Sequence, residues 1–362
     1  MNIKDYDKLH SNVFGIRNPY DAVPYKLDST MPSSDSKAYK LNTQYRHLYD
    51  KLFIIQSQHL EGGKLSELKH KEVTYPIFIK PRYGHKTSSS KNCYKIKSKE
   101  ELSRHFNKKD MIWSEFIDAT EGMTDFVLLN GEIVYQLTYV YSDKQYGFAD
   151  VWKYIASDNQ PPVEIVNWVH KHLQGYTGPL NVQYRDTKII EIGLRFARRG
   201  MYIESTQNKE LIDCINTLWK QKTWVCRENI VIQPFYSFKC WSSVPVVCLL
   251  PDYFIRALLY SFHTMNFSEY YFEPTGTRST IFFQFLHHNF DTGIKLKYLL
   301  ETLLFIVNTA FLLGIVVIIT CSILKIPCQP VWIICILLFL FSILNRINIL
   351  YKQVTHQKQF LF

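Results

Sequence analysis

The stretch from Leu303 to Leu324 constrains this chain most, because none of its 22 positions carries a charged side chain. A helix rises about 1.5 Å per residue, so a run of that length reaches across a hydrocarbon core of about 30 Å. A turn rich in helix breakers follows, Lys325-Ile326-Pro327-Cys328-Gln329-Pro330, and Val331 to Leu344 is again almost wholly apolar. This second segment is short. It spans if Asn345, Arg346 and Asn348 sit at the interface, with Arg346 snorkelling and Ile347 to Leu350 extending the helix. A re-entrant hairpin is one alternative, and two buried core helices of a soluble domain are another. Lys295, Lys297, Arg346, Lys352 and Lys358 flank the outer ends against Lys325 alone in the turn. The positive-inside bias therefore predicts a lipid-embedded two-helix hairpin over 298–352, with a tail at 353–362 and both chain termini in the cytoplasm.

The remainder reads as soluble. The 362 residues suffice for one substantial domain and an appendage, and the apolar 47% are concentrated after Tyr298. A formal charge of +10 favours anionic partners. Its lysines and arginines are spread out rather than clustered with aromatics, which argues against nucleic acid. The eight cysteines form neither a C-x-x-C pair nor a zinc-spaced cluster, and Met1 to His10 is charged rather than signal-like. A reducing, cytoplasmic setting follows as the simplest expectation.

Residues 1 to about 36, with Pro19, Pro24, Pro32 and a Ser/Asp cluster, predict an irregular segment. Lys37 to Gln58 has apolar residues at helical spacing. Val73 to Lys80 predicts a strand running into a polar loop, P-R-Y-G-H-K-T-S-S-S-K-N, and Ser98 with Glu101 predicts a capped helix. Met111–Ile117, Asp125–Leu129 and Glu132–Tyr141 are short apolar runs, the last two joined by the hairpin dipeptide Asn130-Gly131. Pro162 to Leu173 and Asn208 to Trp219 predict helices, and Leu180–Tyr184 with Lys188–Ile192 predicts a second hairpin. Residues 236–297 are aromatic and apolar without clean periodicity and predict no element. There His263, His287 and His288 read as ordinary surface or core residues. The order of elements is α+β.

Side chains alternate along strands, so Asn181 and Gln183 share one face, as do Ile189, Glu191, Gly193 and Arg195. A carboxylate and an amide oxygen on adjacent strands suit Mg²⁺, and an Arg beyond them suits a phosphoryl group. An ion pair between Glu191 and Arg195 is the plainer alternative. Lys80 at a strand end is by itself as consistent with a solvated lysine as with a ligand contact.

The arrangement resembles the ATP-grasp superfamily over about residues 37–200. Y-P-I-F-I-K-P at 75–81 is similar to the family's strand ending in a phosphate-binding lysine, and I-W-S-E-F-I-D-A-T-E-G at 112–122 to its adenine hinge. N-V-Q-Y-R-D-T-K-I-I-E-I-G-L-R at 181–195 resembles the N-V-Q-F…E-I-N-P-R segment of carbamoyl-phosphate-synthase-like and amino-acid-ligase members. The resemblance implies two α+β subdomains gripping ATP between antiparallel sheets. It implies nucleotide contacts from Lys80, from Lys37 or Lys40, from the loop serines Ser88 and Ser89, from the hinge Glu115, Phe116 and Ile117, and from Glu121 at the ribose. It further implies Gln183 and Glu191 as Mg²⁺ ligands, and Lys80 and Arg195 as the groups that act on the transferring phosphate. Gly193 stands where the family has an asparagine ligand. This leaves either a metal with extra water or an ATP-binding domain without catalysis.

The expected organisation is a reduced N-terminal segment over 1–70, an ATP-grasp domain over 71–235, the unassigned 236–297 and the hairpin. The expected activity is an ATP-dependent ligase joining a carboxylate to an amine or thiol at a membrane. An ATP-binding membrane scaffold and a structural membrane protein with a chance motif are the alternatives.

Overall fold

The computed structural model describes residues 24–86, 92–143, 145–146, 149–226, 230–242, 250, 252–269, 273–274, 280–325, 330–338, 340 and 344. It divides into two compact units, one made of Pro24–Asp143 with Tyr154–Pro234, the other containing Lys144–Lys153 and the chain from Phe235 onward.

The first unit opens with helix α1 (Asp35–Leu41), whose N-cap Ser34 accepts from the Lys37 amide, and α2 (Lys51–Ser57), capped by Asp50 accepting from the Leu52 amide. Four strands follow: β1 (Gly62–Lys64), β2 (Ile77–Pro81), β3 (Tyr94–Ile96) and β4 (Met111–Glu115), in the order β1-β4-β2-β3. The short helix α3 (Lys99–Ser103) has the predicted Ser98 cap, and its Leu102 joins Ile77, Ile79, Ile96 and Trp113 in one apolar cluster. The first sheet is thereby backed on one face.

The second sheet is built on β5 (Glu121–Leu129) and β6 (Glu132–Tyr141), turned at Asn130 and Gly131 with φ of 52° and 91°. Those left-handed angles are what the Asn-Gly dipeptide predicts. After β6 come the short pair β7 (Gln145–Tyr146) and β8 (Ala149–Asp150), then β9 (Trp152–Ala156) and helix α4 (Val163–His172). The second predicted hairpin forms from β10 (Gly178–Arg185) and β11 (Lys188–Gly193), giving the order β11-β10-β5-β6. Helices α5 (Met201–Ser205) and α6 (Lys209–Gln221) close the unit, with Asn208 capping α6.

Ala38 of α1 and Ile54 of α2 are buried with Leu48 and Tyr49 against Phe126, Leu180, Val182 and Ile192 of the sheet and Trp168 of α4. The N-terminal helices thus belong to the sheet's own core. One difference concerns sulfur: Cys214 and Cys226 form a disulfide with Cα atoms 5.8 Å apart, where the sequence predicts reduced thiols. The chain after α6 folds back onto it, which no cysteine spacing reveals.

The second unit contains β12 (Phe235–Ser242), helix α7 (Asp252–Ser261), β13 (Met265–Glu269), β14 (Glu273–Pro274), β15 (Thr280–His287) and helix α8 (Phe290–Leu324). β15 pairs antiparallel with β12, β13 and β14. Residues 236–297 gave no periodic signal because neighbouring residues along β15 are all buried, Phe283, Gln284, Phe285 and Leu286 alike, and a strand covered on both faces does not alternate. His287 is a core residue, bonded to the Phe262 carbonyl and the Asn289 backbone.

Helix α8 starts at the cap Asn289 and buries Leu296, Leu300 and Leu304 against Phe238, Phe283 and Phe285. Farther along, Leu313, Val316, Ile319 and Ile323 are more than half exposed. Among the described residues α8 is the helix long and apolar enough to cross a membrane. Residues 330–338 are also helical.

Candidate active site

The alternation of β5, β10 and β11 gathers the polar residues on one face. Asn181 lies opposite Gly193, and Gln183 opposite Glu191; on the other side Asn181 faces Asp125, and Arg185 faces Glu121. Directly paired residues in an antiparallel sheet point to the same side, so Gln183 and Glu191 are placed together as the sequence predicts.

Glu191 does not pair with Arg195. Its carboxylate lies 3.3 Å from the ammonium of Lys51, a buried residue at the start of α2 that no motif marks. Lys80, at the end of β2, is also buried and donates to the Ile190 carbonyl at 2.9 Å. Burial and then the neighbouring Lys51 push the Lys80 ammonium down to about 8, against the pull of Glu191. Burial alone would raise Glu191, but Lys51, Lys80 and Arg195 hold its carboxyl below the ordinary value. It is therefore an ionised, acceptor-only group.

Arg195 donates to Asp35 of α1 at 2.7 Å and to the Phe196 carbonyl at 3.1 Å. Burial opposes its charge, but Asp35, Tyr49 and Glu191 raise its pKa above the usual guanidinium value. The segment after Arg195 is anchored by Asp125, fully buried, which accepts from the Ala197 amide at 2.8 Å, from Asn181 at 2.9 Å and from the Tyr139 hydroxyl at 2.6 Å. Burial pushes Asp125 up to about 6 despite those three donors.

The other predicted residues are more dispersed. Glu121, at the start of β5, pairs with Arg185 at 3.3 Å, and Arg185 also donates to the Ala119 carbonyl, so the segment leading into β5 is held to β10. Glu115 ends β4; its amide donates to the Glu61 carbonyl at 2.8 Å. Phe116 carries the Lys95 ammonium 3.6 Å over its ring, and Ile117 is partly exposed beside it. The Lys37 ammonium donates to the carbonyls of Ser29 and Met31, both at 3.3 Å. It is therefore turned to the N-terminal segment, and Lys51 is the lysine placed beside Glu191. Ser88 and Ser89 lie outside the described residues. The loop preceding them is packed on α1, where Tyr39 stacks on His85 with centroids 3.8 Å apart.

No protein-family model matches the chain, and no curated protein does. Solved structures do match. L-amino acid ligase from Bacillus licheniformis superposes with a TM-score of 0.53 at 14% identity, over 74% of this chain and 75% of that one. Phosphoribosylamine–glycine ligase from Thermotoga maritima gives 0.51 at 12% identity, over 75% and 83%. N5-carboxyaminoimidazole synthetase from Staphylococcus aureus, complexed with ADP, gives 0.50 at 13% identity, over 72% and 75%. The chain has the ATP-grasp fold. In the first unit β2 carries Lys80, and the β10–β11 hairpin of the second sheet carries Gln183 and Glu191. The oxygen donors of Gln183 and Glu191 fit Mg²⁺, which takes few protein oxygens and leaves the rest to water and phosphate. Among the described residues no three His, Cys, Asp or Glu side chains form a metal cluster.

Proposed function

We propose that this chain is a membrane-anchored, ATP-dependent ligase that activates a carboxylate as an acyl-phosphate for attack by an amine or a thiol. The observation that carries the reading is the convergence of buried Lys51 and Lys80 on Glu191. Two buried ammonium groups beside one carboxylate are costly unless an anion arrives to share them. A polyphosphate is such an anion.

Lys80 and Lys51 would hold the phosphates of ATP, and Arg195 would balance the charge that develops as the γ-phosphoryl group moves to the substrate carboxylate. Gln183 and Glu191 would hold Mg²⁺, which when bound neutralises phosphate charge. Glu121 would meet the ribose, with Arg185 fixing its position, and the backbone over Glu115 to Ile117 would meet adenine. Asp125 acts one step back: by binding the Ala197 amide and Asn181 together it fixes where Arg195 leaves β11. The ligases that share the fold support bond formation driven by ATP.

For the membrane part, a close approach supports a hairpin. A Cβ added at Gly314 would lie 2.5 Å from the Cys335 sulfur, so the segment at 330–338 runs against α8 where that helix has no side chain. Small residues at such crossings are how helices pack in lipid. With Lys295, Arg346, Lys352 and Lys358 toward the outer ends against Lys325 in the turn, both ends of the hairpin are assigned to the cytoplasm, where ATP is available.

The test is turnover of ATP to ADP by the full chain in detergent, with a panel of amino acids and peptides as acceptors. ADP release that depends on a carboxylate substrate is expected; absence of turnover with every acceptor overturns the ligase. A second reading, an ATP-binding membrane scaffold, is favoured by Gly193. It predicts tight ATP binding without turnover, unaffected by Glu191→Ala.

A further inference from the structure

Gly193 is buried opposite Asn181 on the face that carries Gln183 and Glu191. Its backbone angles do not demand glycine; space does. A Cβ built there would lie 2.6 Å from Oδ1 of Asp35 and 3.3 Å from Cζ of Arg195. The Asp35 carboxylate, delivered from α1, fills the volume a side chain at 193 would enter. Its two oxygens are used differently. Oδ2 accepts from Arg195 at 2.7 Å, whereas Oδ1 is buried with no hydrogen-bond partner among the described residues. A buried acceptor left without a donor is costly, and a cation is one group that such an oxygen can receive.

We infer that Oδ1 of Asp35 is a metal-ligating oxygen, contributed across space from the N-terminal helix to the divalent cation held by Gln183 and Glu191. The inference rests on the ATP-dependent reading above and adds a ligand to its metal site. Three observations combine in it. The oxygen is hard and ionisable, as Mg²⁺ prefers. It sits over residue 193, two positions along the strand from Glu191 and on the same face. Arg195, which holds the other oxygen of Asp35, lies over the same position, its Cζ 3.3 Å from a Cβ built at residue 193. It follows that α1 is part of the metal site, and that cation binding ties it to the second sheet.

The experiment uses the full chain in detergent with Mn²⁺ as the spectroscopic probe, counting bound and free Mn²⁺ by electron paramagnetic resonance in the presence of a non-hydrolysable ATP analogue. Asp35→Ala is expected to weaken Mn²⁺ binding at least about tenfold, the scale seen when metal-site groups are removed. The double variant Asp35→Ala/Gly193→Asn, which returns an oxygen to the same volume from the strand, is expected to recover most of the lost affinity. It also separates a lost ligand from a misfolded protein. Mn²⁺ affinity unchanged in Asp35→Ala overturns the inference alone, as does a loss that the double variant does not recover, because Asp35 would then act only by holding Arg195. Wild-type protein that binds no Mn²⁺ with the analogue overturns the underlying metal-dependent reading as well.

Discussion

Lys51 and Glu191 meet at 3.3 Å although one opens the second helix and the other lies on the last strand of the hairpin that ends the second sheet. Replacing Lys51 by methionine keeps the buried stem and removes the charge. It is expected to weaken ATP binding about ten- to a hundredfold, the equivalent of one charged hydrogen bond of about 1.5–3 kcal/mol. Lys37→Met should leave affinity near wild type, since that ammonium is spent on Ser29 and Met31. Isothermal titration of both variants with an ATP analogue checks the pair.

Lys80 predicts a pH dependence. Its pKa is pushed down to about 8 in the folded chain. An anion binds the protonated form, so phosphate affinity should be level below that pH. Above it, affinity should fall by about tenfold per unit, because each binding event must then take up a proton. Affinity measured from pH 6.5 to 9.5 should bend near 8 in the wild type and lose the bend in Lys80→Met.

Asp125 separates charge from hydrogen bonding. Burial raises it to about 6 from the ordinary 3.8. Its contribution to stability is therefore full below 3.8 and is lost as pH rises through about 6. Asp125→Asn keeps one oxygen for Ala197 and Asn181 and offers an N–H to the Tyr139 hydroxyl, so it should cost about 1 kcal/mol or less and abolish that pH dependence. Asp125→Ala leaves three buried donors without acceptors and should cost about 3 kcal/mol or more. Denaturant melts at pH 4 and pH 7 distinguish the two.

The apolar helix predicts that the full chain partitions with membranes and resists extraction by alkaline carbonate. A chain ending after residue 297 should lose that resistance. Recovery of the full chain in the soluble fraction would contradict the anchor.

What the sequence disclosed follows from where the physics is local. The Asn130-Gly131 turn, the β10–β11 hairpin and the pairing of Gln183 with Glu191 were legible because turn chemistry and strand alternation act between near neighbours. The strand ending in Lys80 was legible for the same reason. Lys51 and Asp35 were not, because each reaches its partner across space from a helix with no motif of its own. Order along the chain instead pointed to Lys37. Glycine at 193 read as a lost ligand; only the fold shows a carboxylate in its place. The strands β12 and β15 were hidden by burial on both faces, which erases the period of two.

The central claim is that this fold grips Mg·ATP between Lys51, Lys80 and Glu191. Its most direct test is equilibrium binding of a non-hydrolysable ATP analogue to the full chain in detergent, with and without Mg²⁺. The account predicts one saturable site, tightened by Mg²⁺ and weakened at least about tenfold by Lys80→Met, as expected for loss of a charged hydrogen bond. Absence of saturable binding, or binding that Lys80→Met leaves unchanged, would contradict it.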